Sequence, residues 1–330
     1  MLNQQIVLAS RPHGMPRPEN FRLIETPTPE LEDGQVLIQH NWLGMAPAAR
    51  LRMSEVASYR EPMAIGEVPY GQAVGVVAES RSQAIRVGET VMYTSGGWQE
   101  YSVAAAHELI KVDPDLAPPS AWLGPLGTSG FTAYLGLIEI GQARSGETVV
   151  VSAASGGVGS MAGQIARELG CRVVGIAGGE QKRQHLTDTL GFDAGIDYKA
   201  ADFRDMLQQV CPEGVDVYFD NVGGDVRDAL WPHMKVGGRV VVCGLISEYN
   251  DERKPGPGWM SILNKRLTVR GFITGDHLDI RSNFERDMSA WYRNGKINVL
   301  EDVREGLDAV IPAFIDMLSG RSLGKTLVRL

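Results

Sequence analysis

Apolar positions along this chain change their period near residue 120. Before that point they alternate over short runs, as in Gln35-Val-Leu-Ile-Gln-His40, Gly75-Val-Val-Ala-Glu79 and Thr90-Val-Met-Tyr-Thr94. Short period-two runs broken by Pro and Gly predict strands with one buried face, here a compact, partly open barrel over residues 1–120. The Pro-rich stretch Asp113-Pro-Asp-Leu-Ala-Pro-Pro119 marks the boundary. Beyond it, β-branched runs at 149–152, 172–176, 194–196, 215–219, 239–243 and 267–272 alternate with helical spacings at 158–169, 181–190, 201–210, 226–233 and 280–294. Strands alternating with helices of that length predict an α/β fold, a doubly wound parallel sheet over 121–296. Gly170 and Gly191 stand where helices stop. The last segment, 297–330, shows a helix spacing over 303–318 and a strand over 325–330. It has no place in the parallel sheet and is expected to return to the first domain.

Composition narrows the function classes. The chain has 330 residues, 43% hydrophobic and 22% charged, which suits a globular protein with a full core in two domains. A formal charge of -8 gives no electrostatic support for a nucleic-acid partner. No apolar run approaches the roughly 20 residues that span a bilayer, and Met1-Leu-Asn-Gln-Gln-Ile6 lacks the features of a signal peptide. A cytoplasmic location without a membrane partner is expected. Cys171, Cys211 and Cys243 are far apart and odd in number, and the six histidines are scattered. Neither a disulfide framework nor a metal site is expected from that spacing.

The segment richest in chemistry is Thr148-Val-Val-Val-Ser-Ala153-Ala-Ser-Gly156-Gly157-Val158-Gly159. A strand runs into a turn without bulky side chains, and a helix follows at once. Such a turn admits a pyrophosphate close to the backbone and offers it the N–H groups and positive dipole end of the helix. The next strand ends Ile176-Ala-Gly-Gly179, with no carboxylate at its last positions to take a ribose 2′-OH. Glu180-Gln-Lys182-Arg183 follows. Two cations there point to a 2′-phosphate and to NADP(H). The alternatives are a solvated first turn, or Glu180 reaching a 2′-OH. The turns after the later strands, Asp220-Asn221-Val-Gly-Gly224, Cys243-Gly244 and Phe272-Ile273-Thr274, are expected to line the same crevice, because ligands of open α/β sheets bind outside the strands' carboxyl ends.

Several runs together resemble one family. They are Ala153 to Ser160, Gly163-Gln-Ile-Ala-Arg167, Gly170-Cys-Arg-Val-Val-Gly175, Tyr218-Phe-Asp-Asn-Val-Gly-Gly224, Cys243-Gly-Leu-Ile-Ser-Glu-Tyr-Asn250 and Leu323-Gly-Lys-Thr-Leu-Val-Arg329. The chain resembles the zinc-independent branch of the medium-chain dehydrogenase/reductase superfamily, and within it the prostaglandin reductase (leukotriene B4 dehydrogenase, alkenal/one oxidoreductase) group. The resemblance implies a GroES-like β-barrel domain, built from both chain ends, with a Rossmann domain between them. It implies NADPH-dependent reduction of the carbon–carbon double bond of α,β-unsaturated ketones or aldehydes, with an enone or enal as substrate, and a homodimer. Implied cofactor contacts are Gly156, Gly157, Val158, Gly159, Lys182, Tyr198, Asn221, Cys243, Gly244, Leu245, Ile246, Ser247, Phe272, Ile273 and Thr274. Ser322 joins them, standing where the group has Asn before Leu-Gly-Lys-Thr. Tyr249 is the expected donor to the developing oxyanion; a role as pocket wall is the alternative. Zinc relatives carry Gly-His-Glu where this chain reads Tyr70-Gly71-Gln72, which offers no metal ligand. A bulky aromatic of the group has become Ala48, and its Met-Pro-Gly reads Thr128-Ser129-Gly130. Arg50, Met53, Tyr59, Trp98 and Trp259 are expected around the substrate, with 250–259 as a loop beside it. The edge run 267–272, free of Pro, is expected to pair with its twin across a two-fold. An NADPH quinone reductase, or a non-catalytic NADPH-binding protein, are the competing readings.

Overall fold

The computed structural model describes residues 1–55, 58, 60–250 and 255–330. Contacts divide the chain into two compact units, Met1–Gly124 with Glu301–Leu330, and Pro125–Leu300. The first opens with β1 (Leu2–Leu8), β2 (Phe21–Pro27) and β3 (Gln35–Gly44), then a short helix α1 (Ala48–Arg52), then β4 (Gln72–Ser80), β5 (Thr90–Tyr93), β6 (Tyr101–Ala105) and β7 (Leu109–Lys111). β1 and β2 form an antiparallel ribbon, while β3 pairs antiparallel with both β4 and β6. Val36, Leu37 and Ile38 on β3 are all buried. Successive side chains point to opposite faces of a strand, so β3 is covered on both sides. Three residues expected around the substrate belong to this core instead. Met53 and Trp98 are fully buried, and the Trp98 ring packs against Phe21 and Phe314 at 5.5 and 4.9 Å. Buried Arg50 donates to the carbonyls of Pro12 and Gly14 and to Ser54 Oγ. A guanidinium can stay buried when its donors find acceptors, and here it fixes the 12–14 turn rather than waiting for a ligand. Tyr59, and residues 251–254 of the expected 250–259 loop, lie outside the described residues.

The second unit contains α2 (Thr128–Leu135), β8 (Thr148–Val151), α3 (Gly157–Glu168), β9 (Arg172–Ala177), α4 (Glu180–Asp188), β10 (Ala194–Asp197), α5 (Phe203–Val210), β11 (Val215–Asp220), α6 (Gly224–Leu230), β12 (Met234–Val242), α7 (Trp259–Lys265), β13 (Thr268–Gly271) and α8 (Arg281–Arg293). Its six strands form one parallel sheet in the order β10-β9-β8-β11-β12-β13. The run of Val149, Val150 and Val151 is wholly buried, as a central parallel strand covered on both faces requires. The strand order reverses at β8, so the turn after it opens at the sheet's switch point. The helix expected over 226–233 stops at Leu230 and gives way to a 3-10 turn, Trp231–His233, because Pro232 cannot continue the hydrogen-bond ladder.

The chain then returns to the first unit with β14 (Glu301–Glu305), α9 (Val310–Leu318) and β15 (Lys325–Arg329). β15 lies between β14, to which it is parallel, and β3, to which it is antiparallel. The helix expected over 303–318 is therefore shorter at its start. Residues 301–305 form a strand because β15 supplies a ladder partner, and Gly306, at φ 83°, turns the chain before the helix can begin. Among the described residues no helix is long and apolar enough to cross a membrane.

Candidate functional site

The turn between β8 and α3 is built by close backbone approach. Ala153 sits at φ 48°, a left-handed conformation uncommon outside glycine, and its carbonyl accepts from Gly156 N at 3.0 Å. Gly156 caps α3 without any side-chain hydrogen bond, so its first N–H groups face the turn uncapped by a side chain. A Cβ on Gly159 would lie 2.2 Å from the Ala153 carbonyl oxygen; one on Gly163 would meet the Phe192 ring at 2.0 Å. These glycines let α3 press onto the sheet, and the result is a cradle of backbone donors that suits a pyrophosphate.

The neighbouring turn carries the selectivity signals. Gly178 and Gly179 link β9 to α4, and Asp197 Oδ1 at the end of β10 accepts from Gly179 N and Lys199 N. The Tyr198 ring lies against this turn, 2.8 Å from where a Gly178 Cβ would stand. Glu180 is engaged by Arg183 and Gln184, and the Arg183 guanidinium holds its carboxyl below the usual range. The acid that could have reached a ribose 2′-OH is therefore bound to its own helix. Arg183 is paired in the same bond, and Lys182 occupies the first turn of α4 beside it.

The third element is a polar knot that the sequence reading did not foresee. The Asp220 carboxylate, 1% exposed, ends β11. Its Oδ1 accepts from Tyr218 Oη, Ser152 Oγ, Val222 N and Gly223 N at 2.8–3.1 Å. Asn221 donates through N to Ser152 Oγ and through Nδ2 to Ser152 O. Ser152 directly precedes the glycine turn, so this knot fixes the end of β8 to the end of β11. Its signal in the sequence was a polar residue closing each of two β-branched runs, at Ser152 and Asp220.

The turn after β12 is tied to the same place. Cys243 N and Gly244 N donate to Asp220 O, Ile246 N to Asn221 O, and Ser247 N and Oγ to Val222 O. A 3-10 turn, Ile246–Glu248, brings Tyr249 back so that its hydroxyl accepts from Leu245 N at 3.4 Å. Burial pushes the Cys243 thiol up to about 12, with Asp220 adding to the rise, which disfavours the nucleophilic thiolate. Phe272 follows β13 and approaches Gly136, while Ile273 is exposed and Thr274 opens a 3-10 turn. The structure thus gathers the 152–159, 220–224 and 243–249 segments at the carboxyl ends of β8, β11 and β12. Ser322 belongs to the other unit, where it precedes the turn at Gly324, φ 86°. Among the described residues no group of three His, Cys, Asp or Glu side chains converges as a metal would need.

Two family profiles match, one described as the N-terminal domain of oxidoreductase over residues 4–112, the other as zinc-binding dehydrogenase over 157–292. The chain is 43% identical to an NADPH-dependent curcumin reductase of Escherichia coli (strain K12), covering 99% of this chain and 96% of that one. It is 38% identical to prostaglandin reductase 1 of Bos taurus, covering 96% and 95%. Among solved structures, CurA from Vibrio vulnificus in complex with NADPH matches with a TM-score of 0.94 at 45% identity, covering 99% and 98%.

Proposed function

The chain belongs to the zinc-independent branch of the medium-chain dehydrogenase/reductase family, and from that membership we infer an NADPH-dependent oxidoreductase that reduces the carbon–carbon double bond of α,β-unsaturated ketones and aldehydes. The observation that carries this reading is the likeness, over nearly the whole of both chains, to an NADPH-dependent curcumin reductase. The cradle of uncapped N–H groups that a Cβ at Gly159 would fill, and the engagement of Glu180 by its own helix, support NADPH as the dinucleotide.

When bound, NADPH supplies the hydride that goes to the β-carbon of the enone. In our assignment Gly156, Gly157, Val158 and Gly159 hold the pyrophosphate, and Lys182 with Tyr198 takes the 2′-phosphate end. Asn221 and Ser322 contact the cofactor, and Cys243 to Ser247 and Phe272 to Thr274 flank its nicotinamide side. As the β-carbon gains hydride, negative charge moves to the carbonyl oxygen, and the enolate is then protonated at the α-carbon. Tyr249 is the donor assigned to that oxygen. A phenol can donate without ionising, and its hydroxyl is already held at the 245–249 turn by the Leu245 N–H. One such donor lowers a barrier by roughly 3–4 kcal/mol. Tyr249→Phe is expected to cut kcat on a medium-chain enone by about 100-fold or more with KM for NADPH little changed. Full kcat in that variant would remove the donor role. Ala48, smaller than the aromatic of related chains, favours a roomier substrate, and turnover of a small quinone faster than any enone would favour the quinone reductase instead.

We further propose a homodimer joined through β13. Thr268, Val269, Arg270 and Gly271 are all exposed on a terminal strand of the sheet, and the run carries no Pro to block pairing with its twin. The cysteines are free thiols, which suits the reducing cytoplasm.

A further inference from the structure

Lys325 is the first residue of β15 and is only 8% exposed. Its ammonium donates to Met45 O at 2.8 Å, while the next residue, Thr326, accepts from Met45 N through its own carbonyl. The lysine stem lies where β3 carries no side chain: its Cε is 3.5 Å from the position of a Gly44 Cβ. Gln72 is the antiparallel partner of Gly44, so its side chain projects from the same face, and its buried Oε1 has no hydrogen-bond partner among the described residues. Across β14, the register partner of Lys325 is Glu301, whose carboxyl burial pushes up while a Ser120 hydrogen bond opposes the rise. A buried lysine and a part-buried glutamate, both displaced toward their neutral forms, are a signature that functional sites share. Burial lowers Lys325 to about 8.

Other ionisable groups on neighbouring elements have partners of their own. Arg50 on α1 is held by Pro12 and Gly14 carbonyls, and Arg52 pairs with Glu67. His40 on β3 is buried, and that burial lowers it to about 4. On α9, Asp316 is shared by Arg304 and Arg321; on β14, Asp302 pairs with Arg304 and Glu305 with Arg329 of β15.

We propose that Lys325 is a positioning residue for substrate: its ammonium ties the turn of Ser322 to the Met45–α1 segment that carries Ala48, and so sets the productive pose of the enone. This rests on the enone-reductase reading above, which assigns Ser322 to the cofactor and Ala48 to the substrate. A charged donor holds a carbonyl about twice as strongly as a neutral one. Loss of the proton from Lys325 therefore loosens both segments together.

The test is the pH profile of kcat/KM for a medium-chain enone at saturating NADPH. Wild type is expected to lose about tenfold between pH 7 and 9.5, with the midpoint near 8. The loss falls mainly on KM for the enone, with a smaller rise in KM for NADPH through the Ser322 turn and kcat little changed. Lys325→Arg keeps a donor that does not deprotonate in this range and is expected to abolish the limb. Gln72→Glu places a carboxylate on the same face and is expected to move the limb upward. In lysine-13Cε-labelled protein, one signal should titrate near pH 8 and be missing in Lys325→Arg. A limb that persists unmoved in both variants overturns the assignment, and so does a labelled protein with no lysine titrating below 9. If that lysine titrates near 8 while no enone is reduced by NADPH, the reductase reading fails, and the positioning role fails with it.

Discussion

Gly159→Ala isolates what the glycine turn contributes. The added methyl would stand 2.2 Å from the Ala153 carbonyl oxygen and 2.9 Å from Ala154 Cα, where ordinary contact begins at 3.4 Å. Backbone must therefore move by about 1 Å. Ala153 is already at φ 48°, and its carbonyl is bonded to Gly156 N, so the turn has little freedom to give way. Overpacking of this kind costs about 1–3 kcal/mol, and the better helix preference of alanine returns up to about 1 kcal/mol. The displaced atoms are those that frame the pyrophosphate, so the net loss should appear in cofactor affinity. A loss of about 1.4 kcal/mol is tenfold, and a rise of at least tenfold in Kd for NADPH is expected, measured by fluorescence titration of the purified protein. Gly156→Ala is the matched control. Its Cβ would lie 3.3 Å from the same oxygen, tight but relieved by a small shift, and Kd should change by less than about threefold. Equal Kd values for the two variants would refute the reasoning, because sterics at the turn would then not govern binding.

Three further outcomes are expected. Lys182→Ala should raise KM for NADPH about tenfold or more and leave NADH nearly unaffected, since one charged hydrogen bond is worth roughly 1.5–3 kcal/mol; equal effects on both would remove the 2′-phosphate assignment. His40 should make the first unit acid-labile. Its Nδ1 faces Gln99 O and so carries the proton, Ser102 Oγ donates to Nε2, and burial lowers the ring from 6.5 to about 4. The unfolded chain binds the proton first on acidification, so the stability it confers is full above pH 6.5 and shrinks by up to about 3 kcal/mol toward pH 4. Urea midpoints of wild type and His40→Gln should converge across that window, and a constant difference would contradict it. Val269→Lys places a charge on the exposed β13 edge and should give monomers in analytical ultracentrifugation, whereas an unchanged dimer would exclude that edge as the interface.

The parallel sheet was legible because each of its central strands is a β-branched run too short for a helix and closed by Gly or a polar residue. The run at 149–151 is the clearest case. β14 was not, because Glu301-Asp-Val-Arg-Glu305 is mostly charged and Val303, Leu307 and Val310 also fit a helical face. What makes it a strand is a partner, β15, that no local pattern announces. The site was legible where function acts through backbone: the glycine turn and the turns after β11 and β12. It was illegible where side chains act on one another. Trp98 and Met53 looked like pocket walls because large apolar residues in a loop-rich region read the same whether they cover a ligand or a core. The Asp220 knot joins Ser152 and Tyr218 across adjacent strands, and only the sheet order brings those positions together.

The place of β15 beside β3 also bears on how the chain is made. The bond from Lys325 to Met45 spans 280 residues. At about 5–20 residues per second, a ribosome needs roughly 15–60 s to add the later partner after the earlier one. All of Pro125–Leu300 leaves the ribosome in that interval, with the contacts for its own core already present. The first unit must wait with the Trp42–Gly44 end of β3 lacking its β15 partner until Glu301–Leu330 arrive. An unpaired strand held open during synthesis invites pairing with other nascent chains. The stage most exposed to aggregation is therefore the interval before Glu301–Leu330 is made, and slow folding at high expression should be felt first in the unit built from Met1–Gly124 and Glu301–Leu330.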